Sequence, residues 1–283
     1  MRRNYQIHLS NISSALFTAR PSVLSVSYNK LYSTDTRNEK HAQRSFFFDM
    51  DGTLCDSESI NSYAHLITLR KIKDKYNLKF TLPNRNLIKN CTTGITTLGA
   101  MEKIFQFYPE ISRFKIEYSQ MCAQYFFEEK SKMRGNYLIK SSVELLSFIV
   151  ENDYRVCIVS GSPCSEIVEN IKLMSIPKSI PYVGLENYSQ GKPAPDPYLR
   201  AAELLGISPN RACIAFEDST AGVKSAKSAG MFVVGFARER NFRKILIQSG
   251  ADYVVDNLNE IRDKFNKNDY FFPENNKSYL KIK

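Results

Sequence analysis

The sequence predicts an α/β protein: a Rossmann-like parallel sheet core with an inserted all-helical domain. Three observations carry that reading. From Arg155 onward, short apolar runs rich in β-branched and aromatic residues alternate with segments of helical period, the pattern of a parallel sheet covered on both faces. An earlier run of strand formers, Phe46-Phe47-Phe48, stops abruptly at two acids spaced two apart, Asp49 and Asp51. Between these regions, residues 57–134 show helical spacing and no convincing strand.

The first strand places Asp49 and Asp51 at its C-terminal end, and Gly52 lets the backbone turn tightly there. In open α/β sheets this end is where ligands bind, because the loops leaving the strands diverge and form a crevice. Two other readings of the stretch fail. Asp51-Gly52 suits a hairpin turn, but no second alternating strand follows. A calcium loop shares the D-x-D spacing, but it needs Gly at its sixth position and Glu at its twelfth, where this chain has Leu54 and Ile60.

In the inserted segment, Ile60, Tyr63, Ala64, Ile67 and Ile72 predict a helix from Ser57 to about Asn77, capped by Asp56 or Ser57. Further helices are predicted over about 98–108 and 112–133. After Gly135 comes a helix containing Val143, Leu146 and Ile149, then the strand Arg155–Val159, which ends at Ser160-Gly161-Ser162. A helix through Ile167 and Ile171 leads to a short strand near Ile180–Val183 and the Pro-rich turn from Lys192 to Pro197. A helix over Tyr198–Leu205 precedes the strand Ala212–Phe216, which runs into Glu217-Asp218. The alternation closes with a helix over Ala221–Ala229, a strand over Met231–Gly235, another helix and the strand Tyr253–Val255. The expected organisation is a leader at 1–40, a core at 41–56 and 135–265, a helical insertion at 57–134 and a tail at 266–283.

Composition bounds the function. At 43% hydrophobic and 24% charged residues, the chain has the balance of a globular protein with a sizeable core. No apolar run approaches the roughly 18 residues that cross a bilayer, so no membrane partner is expected. The net charge of +10 would suggest nucleic acid, but Arg2, Arg3, Arg20 and Lys30 supply four of those charges within residues 1–34, which hold no acid. The remainder is scattered without aromatic interleaving, and no nucleic-acid partner is expected. The leader is basic, rich in hydroxyls and amphipathic, the composition of an organellar transit peptide. Mitochondrial import is the expectation, with a plastid or cytoplasmic location as the alternatives, and a monomer is expected. The six cysteines form no C-x-x-C pair, which leaves neither a zinc site nor a disulfide framework in view. Cys55 lies near the acids, where a reactive thiol would make activity sensitive to oxidation.

Four polar clusters thus stand at predicted strand ends: Asp49/Asp51, Ser160, the Lys192 loop and Glu217/Asp218. Alone, Ser160 reads as a turn residue, Lys192 as a surface charge and Glu217-Asp218 as an acidic helix start. Their convergence on one sheet edge makes a site. Asp49, Glu217 and Asp218 would repel one another at close range, so a divalent cation and Lys192 are needed to bring the site near neutrality. Oxygen-only ligands favour Mg²⁺.

Over roughly residues 44–262 the chain resembles the haloacid dehalogenase-like hydrolase superfamily, in the branch with a helical cap after the first motif. FFFDMDGTL is similar to the first family motif, IVSGS to the second, GKPAPDPY to the third and FEDSTAG to the fourth. The resemblance implies Asp49 as nucleophile and Asp51 as general acid and base. It further implies that Ser160 hydrogen-bonds the transferring phosphoryl group and that Lys192 pairs with Asp49 and that group. Mg²⁺ would be bound by Asp49, the Asp51 backbone carbonyl and Asp218, with Glu217 assisting. The implied activity is a Mg²⁺-dependent phosphatase acting on a small phosphorylated metabolite, such as a sugar or polyol phosphate, through an aspartyl phosphate. Gly161 is expected at the substrate, and Thr92, Thr93 and Thr96 are the expected cap contacts.

Two alternatives remain open at this stage. A β-phosphoglucomutase-like mutase shares the core motifs, but the place of its cap-side histidine is taken by Asn61, and the loop from Cys91 to Thr97 is uncharged. An inactive metabolite-binding or scaffold protein would be expected to have lost the nucleophile or the acid, and both Asp49 and Asp51 are present. A dehalogenase has no need of an acid at Asp51.

Overall fold

The computed structural model describes residues 44–92 and 97–266. The leader, the tail beyond Asn266, and Thr93 and Thr96 lie outside the described residues. Six parallel strands form one sheet in the order β3-β2-β1-β4-β5-β6. They are β1 (Ser45–Asp49), β2 (Arg155–Val159), β3 (Tyr182–Val183), β4 (Cys213–Glu217), β5 (Phe232–Phe236) and β6 (Tyr253–Val255).

β1 is central and wholly buried, which is why it reads as an unbroken apolar run. Its aromatics alternate between faces. Phe46 and Phe48 stack on Phe216 from β4, at centroid distances of 6.3 and 4.5 Å, while Phe47 meets Tyr198 edge-on at 6.4 Å. The direction of strand order reverses at β1, so a crevice opens beyond its C-terminal end, where Asp49 sits. In register, Asp49 lies level with Val159, and Phe48 with Phe216, so Glu217 follows level with Asp49 and Ser160 comes one step beyond it.

Between β1 and β2 lie α1 (Ser57–Lys75), α2 (Arg85–Thr92), α3 (Thr97–Phe107) and α4 (Lys115–Met133), followed by α5 (Lys140–Glu151) of the core. Helices α1 to α4 enclose an apolar cluster of their own, including Leu69, Ile72, Ile88, Ile104 and Tyr118. The buried face of α1 runs through Ile60, Ala64, Thr68 and Ile72, and Tyr63 is turned out to 41% exposure. Helix α2 is absent from the sequence expectation. Its eight residues are too few for a visible period, and Asn86 and Asn90 weaken the helical signal. The helix expected from 112 begins instead as a 3₁₀ turn over Pro109–Phe114, with Pro109 fixing its first residue, and becomes α-helical at Lys115.

The two connections to this insertion run side by side. The amide of Asp56 donates to the carbonyl of Tyr137 at 2.6 Å, and that of Ile139 to Leu54 at 2.8 Å, with Cys55 bridged antiparallel to Leu138. The chain therefore leaves the core and returns to it at one point.

Helices α6 (Cys164–Leu173), α7 (Asp196–Leu204), α8 (Thr220–Ser228) and α9 (Arg240–Gln248) connect the later strands. A last helix, α10 (Asn259–Asn266), was not expected from the sequence. Ile261 is fully buried there, and Phe265 meets Phe46 edge-on at 5.6 Å.

Candidate active site

Three strand ends and one loop deliver the site. Asp49 is the last residue of β1, Ser160 follows β2, and Glu217 ends β4 with Asp218 next. Lys192 reaches in from the loop between β3 and α7. Its ammonium lies 2.6 Å from Asp49 Oδ1 and 2.6 Å from Glu217 Oε1, and it also donates to the carbonyl of Val159 at 3.2 Å. Glu217 has no exposed side-chain surface. Its Oε1 accepts from the Tyr198 hydroxyl at 2.5 Å and its Oε2 faces Ser219 at 3.4 Å. Neither Tyr198 nor Ser219 was expected at the site, though both flank motif residues in sequence.

Asp51 accepts three hydroxyl donors. Ser57 donates to its Oδ1 at 2.8 Å, and Ser160 and Ser162 donate to its Oδ2 at 2.9 and 2.8 Å. Ser160 also accepts from the amide of Ser162 at 2.9 Å. The hydroxyl expected on the phosphoryl group is thus directed at Asp51, and Ser162, which the sequence reading passed over, shares that task. Ser57 belongs to the first turn of α1, so the insertion itself touches this carboxylate.

Burial pushes the carboxyl of Asp49 well above the usual range; Lys192 opposes the shift, and Glu217 and Asp51 add to it. Burial likewise raises Asp218, with Asp49, Glu58 and Glu217 adding and Arg238 opposing. For Lys192, burial works against the charge, but Asp49 and Glu217 outweigh it and hold the ammonium protonated. One ammonium does not neutralise three crowded carboxyls, two of them buried and Asp218 partly so.

A divalent cation fits among them. Asp49, Glu217 and Asp218 each offer an oxygen within 4.8 Å of the others, and all the donors are hard. Asp49 Oδ2 and Asp218 Oδ1 are buried without a hydrogen-bond partner, whereas Glu217 is engaged by Lys192 and Tyr198. Asp49 and Asp218 thus each keep an open valence, while Glu217 also pairs with Lys192. Adding Mg²⁺ is expected to raise the melting temperature, corresponding to about 2.7 kcal/mol at a hundred times the dissociation constant. Asp218→Asn should remove most of that shift in thermal melts.

Gly52 makes room for this arrangement. Its φ is +92°, and a Cβ there would fall 1.9 Å from Asp218 Oδ2. Gly52→Ala is expected to cost on the order of 1–3 kcal/mol through backbone strain and to displace Asp218. Calorimetry should show the weakened cation binding together with the lowered melting temperature.

The other expected residues fall differently. Gly161 is exposed, with open space where a Cβ would be. Thr92 is buried, bonded to the Ser62 hydroxyl at 2.6 Å and donating to the Lys89 carbonyl at 3.3 Å within the insertion. Cys55 is buried, and burial with Asp51 nearby pushes its thiol up, which keeps it from forming a reactive thiolate.

Next to Asp218 a cavity of about 830 Å³ lies between α1, α2, the loop after β5 and α9. Ser59, Ser62, Lys89, Asn90, Arg238 and Glu239 are among its lining residues. Sequence alone did not mark this wall, because it is assembled from short polar stretches far apart in the chain.

Residues 46–236 match the sequence model of the family described as haloacid dehalogenase-like hydrolase. The chain belongs to that family. This haloacid dehalogenase-like hydrolase is 27% identical over 212 residues to a phosphorylated carbohydrates phosphatase of Thermotoga maritima, a match covering 74% of this chain and 92% of the relative. It is 26% identical over 221 residues to the β-phosphoglucomutase of Bacillus subtilis, covering 75% of this chain and 88% of that protein. Among solved structures, the β-phosphoglucomutase of Clostridium difficile aligns with a TM-score of 0.58 at 22% identity, over 80% of this chain and 98% of that one. At that identity the likeness shows the fold alone. The haloacid dehalogenase-like core thus carries a helical insertion over its site.

Proposed function

We propose that this chain is a Mg²⁺-dependent phosphatase that hydrolyses a small phosphorylated metabolite, a sugar or polyol phosphate, through an aspartyl phosphate on Asp49. The observation that carries the reading is the pairing of two unlike acids at one strand end. Asp49 has one oxygen held by Lys192 and the other free, and Asp51 lies two residues on, ringed by hydroxyls.

Asp49 attacks phosphorus, the bond to the leaving oxygen breaks, and Asp51 gives that oxygen its proton. Water then attacks the phosphorus of the aspartyl phosphate, Asp51 takes a proton from it, and Asp49 is released with inorganic phosphate. Lys192 holds Asp49 in place and offers its charge to the phosphoryl oxygens. Ser160 and Ser162 fix Asp51 for both proton transfers. When bound, the cation, held by Asp49, Asp218 and the Asp51 carbonyl, supplies further neutralisation of phosphoryl charge. Names among the relatives support a small phosphorylated substrate, since one is a phosphatase of phosphorylated carbohydrates.

The test is a panel of phosphomonoesters incubated with the purified protein and Mg²⁺. Phosphate release that depends on Asp49 supports the reading. Isomerisation of a sugar phosphate without release would mark a mutase, and binding without turnover of any ester a scaffold protein; either overturns it.

A further inference from the structure

The phosphoryl end of the site explains the reaction but leaves the other end of the substrate unread. A cavity that reaches the site at Asp218 is open to that end, and its wall combines α1 and α2 of the insertion with the loop after β5 and the start of α9 in the core. Away from Asp218 its charges balance, with Asp56, Glu58 and Glu239 set against Arg85, Lys89 and Arg238. A second anionic group on the substrate finds no net attraction in such a field.

Two ion pairs flank the cavity, one within the core at the root of the insertion and one between the insertion and the core. Asp56, at the N-cap of α1, takes Arg238 at 3.1 Å. Lys89 of α2 pairs with Glu239, 150 residues away. Both members of this second pair are 49% exposed, so the contact by itself holds the insertion only weakly. A hydroxyl group donates and accepts at once, and a lysine beside a carboxylate offers one partner of each kind. Ser59, Ser62, Asn90 and Asn241 extend the same mixed surface.

We infer that Lys89 and Glu239 are specificity-determining residues, which bind neighbouring hydroxyls of an uncharged leaving group from opposite walls of the cavity. This rests on the phosphatase reading and deepens it by assigning which residues select the ester. Lys89 donates to one hydroxyl and Glu239 accepts from another, so a leaving group that spans both walls also ties the insertion to the core. Selection and closure are then one event.

The experiment compares glucose 6-phosphate, mannitol 1-phosphate and glycerol 1-phosphate with p-nitrophenyl phosphate, which has no hydroxyl on its leaving group. In Lys89→Met and in Glu239→Gln, the ratio of kcat/KM for the best hydroxylated ester to that for p-nitrophenyl phosphate should fall about tenfold, through KM. A parallel loss on all four esters would reduce the pair to a plain latch and overturn the inference. Lys75→Met, which breaks an exposed ion pair with Glu117 inside the insertion, serves as the control and should leave the ratio where it was. Calorimetric binding of the same esters to Asp49→Asn protein gives a readout without turnover, in which Lys89→Met should weaken the hydroxylated ester about tenfold. Failure of every ester to bind there, or equal binding with and without Lys89, sinks the inference even if phosphatase activity stands. Absence of turnover in the unaltered protein with selective binding intact sinks the phosphatase reading alone.

Discussion

Asp49→Asn is expected to abolish phosphate release from every phosphomonoester, by at least about a thousandfold, without unfolding the protein. The amide matches the carboxylate in shape and keeps an oxygen for Lys192, which lies 2.6 Å from Asp49 Oδ1. It has no anionic lone pair with which to attack phosphorus. Stability should hold or rise, because burial already disfavours the charged form of Asp49 and the substitution removes one of three crowded acids. Phosphate release and a thermal melt on the same preparation check both halves. Lost activity with a melting temperature equal to or above that of the unaltered protein fits a nucleophile. Retained activity would move the chemistry to another residue.

Lys192→Met should abolish activity as well, but with a large loss of stability, about 3–5 kcal/mol. Lys192 is the ion-pair partner of both Asp49 and Glu217, and Glu217 is fully buried. Removing the ammonium leaves two carboxylates without a counter-charge, and the Tyr198 hydroxyl is a poor substitute for it. The pH dependence follows from sign. Acids whose carboxyls are raised in the folded protein bind more protons there than in the unfolded chain, so stability is present at low pH and is lost as pH rises. Metal-free Lys192→Met should therefore recover part of its deficit when denaturant melts are moved from about pH 8 to about pH 5.5. A deficit that is flat over that range would mean that Lys192 acts through packing rather than charge.

The sheet and its motif ends were legible in the sequence because central parallel strands are buried on both faces. Phe46 to Phe48, Val156 to Val159 and Ile214 to Phe216 leave no polar position to blur the run, and the first polar residue after each marks the crevice. What the sequence hid was of two kinds. Short helices such as Arg85–Thr92 and Asn259–Asn266 span barely two turns, and contacts with the rest of the protein fix them more than propensity does. Side-chain direction was the other. The hydroxyl of Thr92 is shared with Ser62, and that of Ser160 donates to Asp51, partners that the spacing of the sequence does not name. Hydroxyl groups take whichever partner the fold presents, and spacing along the chain does not carry that choice.

The insertion departs from the sheet and comes back at neighbouring backbone positions, Leu54 to Asp56 beside Tyr137 to Ile139. Its ends are already closed upon each other, so the loop between them can grow, shrink or be exchanged wholesale with almost no entropic burden on the sheet. Asp49, Lys192, Glu217 and Asp218 all lie outside that loop, while Lys89 lies within it. Descent with a fixed reaction and a drifting diet of substrates is the history such a joint permits.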